Sequence, residues 1–262
     1  MKKGLWFFLT LITLNVFGQN NRLNISDEIG WLNCFITPKI NENLSLHAEY
    51  QWRRADWGRI WQQSLIRIGV NFNLNERVQF RGGYARIETF NYGEIPINIY
   101  GKVFTEHRAF QMAQIKHYEG LLIFSHRFML EQRWTGKYSN SLILKEDSYV
   151  FTNRLRYMVR IQLPLQKLCN SKKSSKYLAI HNEIFIGFGK NVQANIFDQN
   201  RVGLVFGYKF NEHLKIEAGF MNQILEFGRV VGGQNIFQHN SGIIINAFFD
   251  FAVLKHKEDP VP

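Results

Sequence analysis

An all-β fold, closed as an antiparallel transmembrane β-barrel, is what this sequence predicts, and three observations predict it. Alternation of apolar and polar residues with period two runs for ten or more residues in stretch after stretch. Those stretches are longer than the usual five or six residues of a soluble strand and match the roughly 9 to 11 that a tilted strand needs to cross a bilayer. The connections between them also alternate, short then long, as in barrels with short periplasmic turns and longer outer loops.

Taken in order, the chain begins with "MKKGLWFFLTLITLNVFG", in which Lys2 and Lys3 precede an apolar run and small Gly18 closes it. This reads as a secretory signal peptide over 1–18, cleaved before Gln19, with a barrel domain over 19–254 and a short polar tail over 255–262. The apolar run is too short for a spanning helix, and no later window reaches about 18 apolar residues. The residue immediately after the cleavage point is Gln19 and not a cysteine, which argues against a lipid anchor. Cys34 and Cys169 are too few and too far apart for a disulfide framework and are expected as isolated thiols.

The next segment, "RLNISDEIGWLNCFIT", reads as a hairpin, up through 22–26 and down through 29–37. In "LSLHAEYQWR", Leu44, Leu46, Ala48, Tyr50 and Trp52 oppose Ser45, His47, Glu49, Gln51 and Arg53. "FSHRFMLEQRW" splits Phe124, His126, Phe128, Leu130, Gln132 and Trp134 from Ser125, Arg127, Met129, Glu131 and Arg133. The same two-sided pattern recurs in "YVFTNRLRYMVRIQL", "YLAIHNEIFIGFG" and "RVGLVFGYKF". Strand five, 103–114, alternates worst, because the parity of Glu106 and Arg108 is also that of Phe110 and Met112. Ten crossings follow from Leu44 to a last strand near 238–253, and the N-terminal hairpin makes twelve; ten plus an N-terminal extension is the alternative. Short turns are expected at 73–77, 116–118 and 211–213, and longer loops at 89–102, 135–148, 190–199 and 228–235. The segment 166–176 breaks this rule, being long and basic where a short turn is due.

The series "DEIGW", "RGGYAR", "TEHR", "SHRFMLEQRW", "NRLRYMVR", "HNEIFIGFG" and "FDQNR" resembles the uncharacterised outer-membrane family called domain of unknown function 2490, found in Bacteroidota and other Gram-negative bacteria, over nearly all of the mature chain. The resemblance implies a barrel and an outer-membrane location; it implies no activity and carries no catalytic residue.

If the greasy faces meet lipid, the lumen holds Arg53, Arg67, Arg81, Arg108, Arg127, Arg133, Arg154, Arg156, Arg160 and Arg201 against Glu49, Glu106, Glu131, Glu183 and Glu217, since a charge on the lipid face costs about 2–4 kcal/mol at the midplane. One reading is a structural Arg/Glu ladder filling a narrow barrel, with Glu131 diagonally across from Arg154. The other is an anion-preferring pore or binding cleft. Folding-in of loop carboxylates such as Glu94 or Asp147 would neutralise the excess of arginine. The net charge of +11 suits an acidic partner, a nucleic acid or an anionic membrane face, and export points away from nucleic acid. The expected partners are outer-membrane lipid, the barrel assembly machinery and anionic small solutes, around a monomer.

No cofactor or metal is expected: the pairs His47/Glu49 and His181/Glu183 lack the third and fourth ligands of a closed site. A lipid-modifying enzyme is the alternative class, because His126, Asn153 and Asn182 share the outward parity. Yet Ser125 points the other way and leaves no nucleophile beside a base. The glycines of "RGGYAR" read as sites of strand bending or close packing. Trp52, Trp57, Trp61 and Trp134, with Tyr92 and Tyr100, read as an interfacial aromatic belt.

Overall fold

Eleven strands make the barrel, in a computed structural model that describes residues 21–165, 176–192 and 195–253. They are β1 (Arg22–Lys39), β2 (Leu44–Ala55), β3 (Ile60–Asn73), β4 (Val78–Thr89), β5 (Phe104–Glu119), β6 (Leu122–Lys137), β7 (Ser148–Pro164), β8 (Lys176–Phe188), β9 (Phe197–Lys209), β10 (Leu214–Val231) and β11 (Gln234–Ala252). Each pairs antiparallel with its sequence neighbour, and β1 closes the barrel by pairing parallel with β11. The expected signal segment, most of the basic 166–176 segment, Cys169 and the polar tail lie outside the described residues.

The expectation of twelve strands, or ten, is corrected to eleven by the N-terminal segment. The "SDEIG" stretch does not turn: Arg22 to Lys39 is one strand, in unbroken register with β11 from Arg22↔Asn235 to Lys39↔Ala252. A hairpin there would have interrupted that ladder and left backbone groups without partners. β2 reaches only as far as Ile29↔Ala55, so the upper part of β1 depends on β11. With an odd number of strands, β1 and β11 run the same way, and Asn21 sits beside the β10–β11 turn, where its carbonyl accepts the Asn235 N–H at 2.9 Å.

Two other connections differ from expectation. The β5–β6 turn is Gly120–Leu121, later than 116–118, because Gly120 supplies the positive φ of +56° that a two-residue turn requires. The long loop expected at 228–235 is a tight turn on Gly232 and Gly233, with φ of +57° and +80°, the pair of positive values that matches the twist of a hairpin. At the opposite end three turns share one sequence pattern, "INENL", "LNERV" and "FNEHL". In each the asparagine side chain (Asn41, Asn75, Asn211) accepts two backbone N–H groups, at 2.8–3.0 Å, the Asx geometry that sets a turn locally.

The outward parity is apolar and uncovered: Ile66 and Ile68 on β3, Leu155 on β7, Leu204 on β9 and Phe220 on β10 are all exposed, Ile68 by 56%. The inward parity carries the charge. β5 alternates regularly after all, and Phe110 and Met112 pack inside against Met129. Gly69 and Gly83 face one another across β3 and β4 and leave the hollow that the Phe110 ring enters; a Cβ on Gly69 would meet Phe110 Cζ at 3.4 Å. No α-helix occurs among the described residues.

Candidate functional site

The interior is built around Glu131 on β6, which is fully buried. Its register partner is Arg154 on β7, directly opposite rather than diagonal, and Arg154 Nε and Nη2 donate to Glu131 Oε2 at 2.8 and 2.6 Å. Arg156 Nη1 donates to the other oxygen at 2.8 Å, with Arg108 at 3.6 Å and Arg67 at 3.9 Å. Arg156 also reaches Glu183, which Arg127 Nη2 meets at 2.7 Å. Glu106 takes Arg108 and Arg133, at 2.5 and 2.6 Å. Such planar forks hold two carboxylates at once, and here they join β3, β5, β6, β7 and β8.

The expected residues fall into three sets. Arg108, Arg127, Glu131, Arg133, Arg154, Arg156 and Glu183 share that network. Arg160 and Glu217 form a second one, with Arg160 Nη2 at 2.8 Å from Glu217 and Tyr177 donating to the same carboxylate at 2.6 Å. Arg201 joins neither. The neutralising carboxylates Glu94 and Asp147 stay exposed; Asp198 provides that charge instead, bonded by Arg133 at 3.2 Å and Arg154 at 2.6 Å. Strict alternation would turn Asp198 outward. The β8–β9 register passes from Phe185↔Gln199 to Ile186↔Phe197, and this bulge, an extra residue in one strand, lets Asp198 and Gln199 both serve the interior. Phe185, fully buried, lies under Arg154, Arg156 and Arg201 at 4.4–5.0 Å.

Above this filled section, at the long-loop end, is a cavity of about 510 Å³. Its lining includes Arg53, Arg201, Gln62, Gln63, Gln199, Gln223 and Tyr92. The loop 90–103 crosses the mouth to the far wall. Arg229 on β10 donates to the carbonyls of Pro96 and Ile97, the latter at 3.2 Å, and Ile95 and Ile97 pack on Ile25, Phe227 and Ile236. Tyr92 in this loop is buried and accepts from Asn240 at 3.3 Å, so it is an anchor of the loop and not part of an aromatic belt; burial pushes its phenol above the ordinary pKa. Trp52, Trp61 and Phe90 do cluster at the rim, with Trp52 edge-on to Trp61 at 6.0 Å and Arg54 over both indoles.

The outward polar residues satisfy one another. His126 Nδ1 lies 2.8 Å from the Tyr157 hydroxyl and its ring stacks on His117; Gln132 and Gln111 exchange amide hydrogen bonds at 3.1 and 3.3 Å, as do Asn182 and Asn200 at 3.4 and 3.1 Å. Ser125 is buried on the other parity, so the hydroxyl beside His126 is that of Tyr157 and not of the serine. His47 lies 3.2 Å from Glu49, and no group of three or more metal-ligating side chains occurs among the described residues.

Residues 28–229 match the model of a family described as a protein of unknown function, DUF2490. No curated protein matches the chain.

Proposed function

From the premise that the chain belongs to the DUF2490 family, we propose that it is an exported outer-membrane β-barrel whose interior is closed at mid-height and whose functional space is the cavity beneath the long loops. The observation that carries this reading is the inverted distribution of polarity around a closed barrel. Isoleucine, leucine and phenylalanine stand exposed on the outer parity of strand after strand, while Glu131, Glu183, Glu217 and Arg154 are buried. In water such a girdle would be an apolar patch far beyond the few hundred Å² that soluble proteins expose; against hydrocarbon it is the favourable face, and the closed ladder gives every strand two neighbours. The strand lengths of 12 to 19 residues support the same reading, exceeding what a tilted crossing needs.

Between an anion-selective pore and a plugged barrel, the interior favours the plug. Glu131 and Phe185 are fully buried at mid-height, and ion pairs such as Arg133–Asp198 and Arg67–Glu131 join strands that are not neighbours. The purified chain should fractionate with the outer membrane, migrate differently on gels before and after heating, and show no steady conductance in planar bilayers. Release by osmotic shock would remove the membrane reading, and an ohmic, anion-selective channel would remove the plug.

A further inference from the structure

We propose that the cavity is a binding site for a small organic oxyanion, a carboxylate or phosphate on an apolar body, held between Arg53 and Arg201 over Trp31. This rests on the preceding reading only in taking the cavity as a compartment closed below.

Arg53 on β2 and Arg201 on β9 come from opposite walls of the interior to one indole. Arg53 is the register partner of Trp31 and its guanidinium carbon lies 3.9 Å from the ring centroid, that of Arg201 at 5.0 Å. Trp31 is itself held in place by its Nε1–H, which donates to Gln62 Oε1 at 2.6 Å. Both guanidiniums line the cavity, and among the described residues neither meets a carboxylate. Arg53 donates only to the amide oxygens of Gln63, at 2.5 Å, and Gln51, and Arg201 only to Gln199, at 3.1 and 2.8 Å.

Arg53 is 4% exposed and its Nε–H has no acceptor. A buried guanidinium offered only neutral oxygens and an indole face is poorly compensated for the water it has lost; the indole returns a part of that. The rest of the lining does not repair the deficit. It carries seven basic side chains against three carboxylates, and Glu106 and Asp198 are each already bonded by two arginines. An oxyanion between Arg53 and Arg201 would supply the missing charge through the bidentate geometry that guanidinium favours.

The size fits a small molecule, since such sites run from roughly 300 to 1,000 Å³. Tyr92, Ile97, Phe104 and Phe227 offer an apolar surface above the arginines, so the site suits an anionic head on an apolar body better than a bare inorganic ion. The amides of Gln62, Gln63, Gln199 and Gln223 supply neutral hydrogen-bonding groups around it.

The test is calorimetric titration of the full chain, folded in detergent micelles, with phenyl phosphate, benzoate, inorganic phosphate and phenol. Phenyl phosphate and benzoate should bind, inorganic phosphate should bind more weakly, and phenol should give no heat. Arg53→Gln and Arg201→Gln should each weaken binding about tenfold or more while leaving the heat-modifiable band intact. Absence of heat from both organic anions, or affinities unchanged in both variants, would overturn the site. If a variant does not fold, the wild-type protein still decides: phenyl phosphate should raise its unfolding temperature, and no rise defeats the proposal. Because micelles need no outer membrane and no conductance, this outcome is independent of the tests of location and of the plug.

Discussion

Around Glu131, Arg154 and Arg156 each bond a carboxylate directly; beside Trp31, Arg53 and Arg201 bond amide oxygens only. The two regions use the same side chain in the same barrel, on strands that are not neighbours, and they differ in what each guanidinium reaches. Register pairs Arg154 with Glu131 and Arg53 with Trp31. In the first region charge is consumed in holding strands together. In the second it is left over and directed at a cavity. An arginine count alone would treat both as one positive lumen, and register alone would not separate them either, since Arg201 stands opposite Glu183 without bonding it while Arg156 bonds two carboxylates from positions opposite Met129 and Phe185.

The largest effect that separates the regions should come from a matched pair of substitutions. Arg154→Gln leaves Glu131 and Asp198 short of a partner inside the barrel and should cost about 3–5 kcal/mol, read as a lower urea midpoint for unfolding from lipid vesicles. Arg53→Gln removes a charge that has no carboxylate to leave behind, and should change stability by less than about 1 kcal/mol in either direction. Equal losses in the two variants would erase the distinction. A smaller effect is expected from Arg229→Ala, which removes the two part-buried hydrogen bonds to the Pro96 and Ile97 carbonyls, together worth about 1–3 kcal/mol. Protease cleavage within 90–103 should quicken while the barrel itself stays folded; cleavage at the wild-type rate would mean that the apolar contacts alone hold the loop.

The smallest effect is one of pH and belongs to the loop over 138–147. Partial burial would raise the Glu146 carboxyl, but hydrogen bonds from its own and the Thr105 backbone N–H groups outweigh this and hold it below its ordinary value; the Thr105 bond is 2.6 Å. A carboxyl depressed by folding stabilises fully above its unfolded pKa, and that contribution is lost as the pH falls through the lower folded value. The protection of the Thr105 amide, its exchange rate relative to the intrinsic rate at the same pH, should therefore be high at neutral pH and fall in acid below the ordinary carboxylate range, with Glu146→Gln flattening the dependence.

Much of this was legible in the chain. The ten strands from Leu44 onward follow from alternation, and the parity that puts Arg127, Glu131 and Arg133 on one face of β6 and Phe128, Leu130 and Trp134 on the other is the parity observed. His126 and Gln132, the two polar residues on that greasy face, are explained by partners on neighbouring strands, Tyr157 and Gln111. The candidate site was less legible. Trp31 stood within a stretch read as a hairpin, Asp198 stood on the outward parity until the bulge moved it, and Tyr92 read as a belt residue.

Local pattern alone therefore settles most of what depends on near neighbours. Period two assigns each side chain to a face, and an asparagine or glycine at the right offset sets a turn, so strands, faces and most hairpins follow locally. Long-range pairing decided the rest: that the count is odd, that β1 lies parallel to β11 with partners some 213 positions away, that Asp198 on β9 reaches Arg154 on β7, and that the loop over 90–103 is bonded to Arg229 on β10. These depend on the stagger at which the barrel closes, a property of all eleven strands together, and no window of sequence contains it.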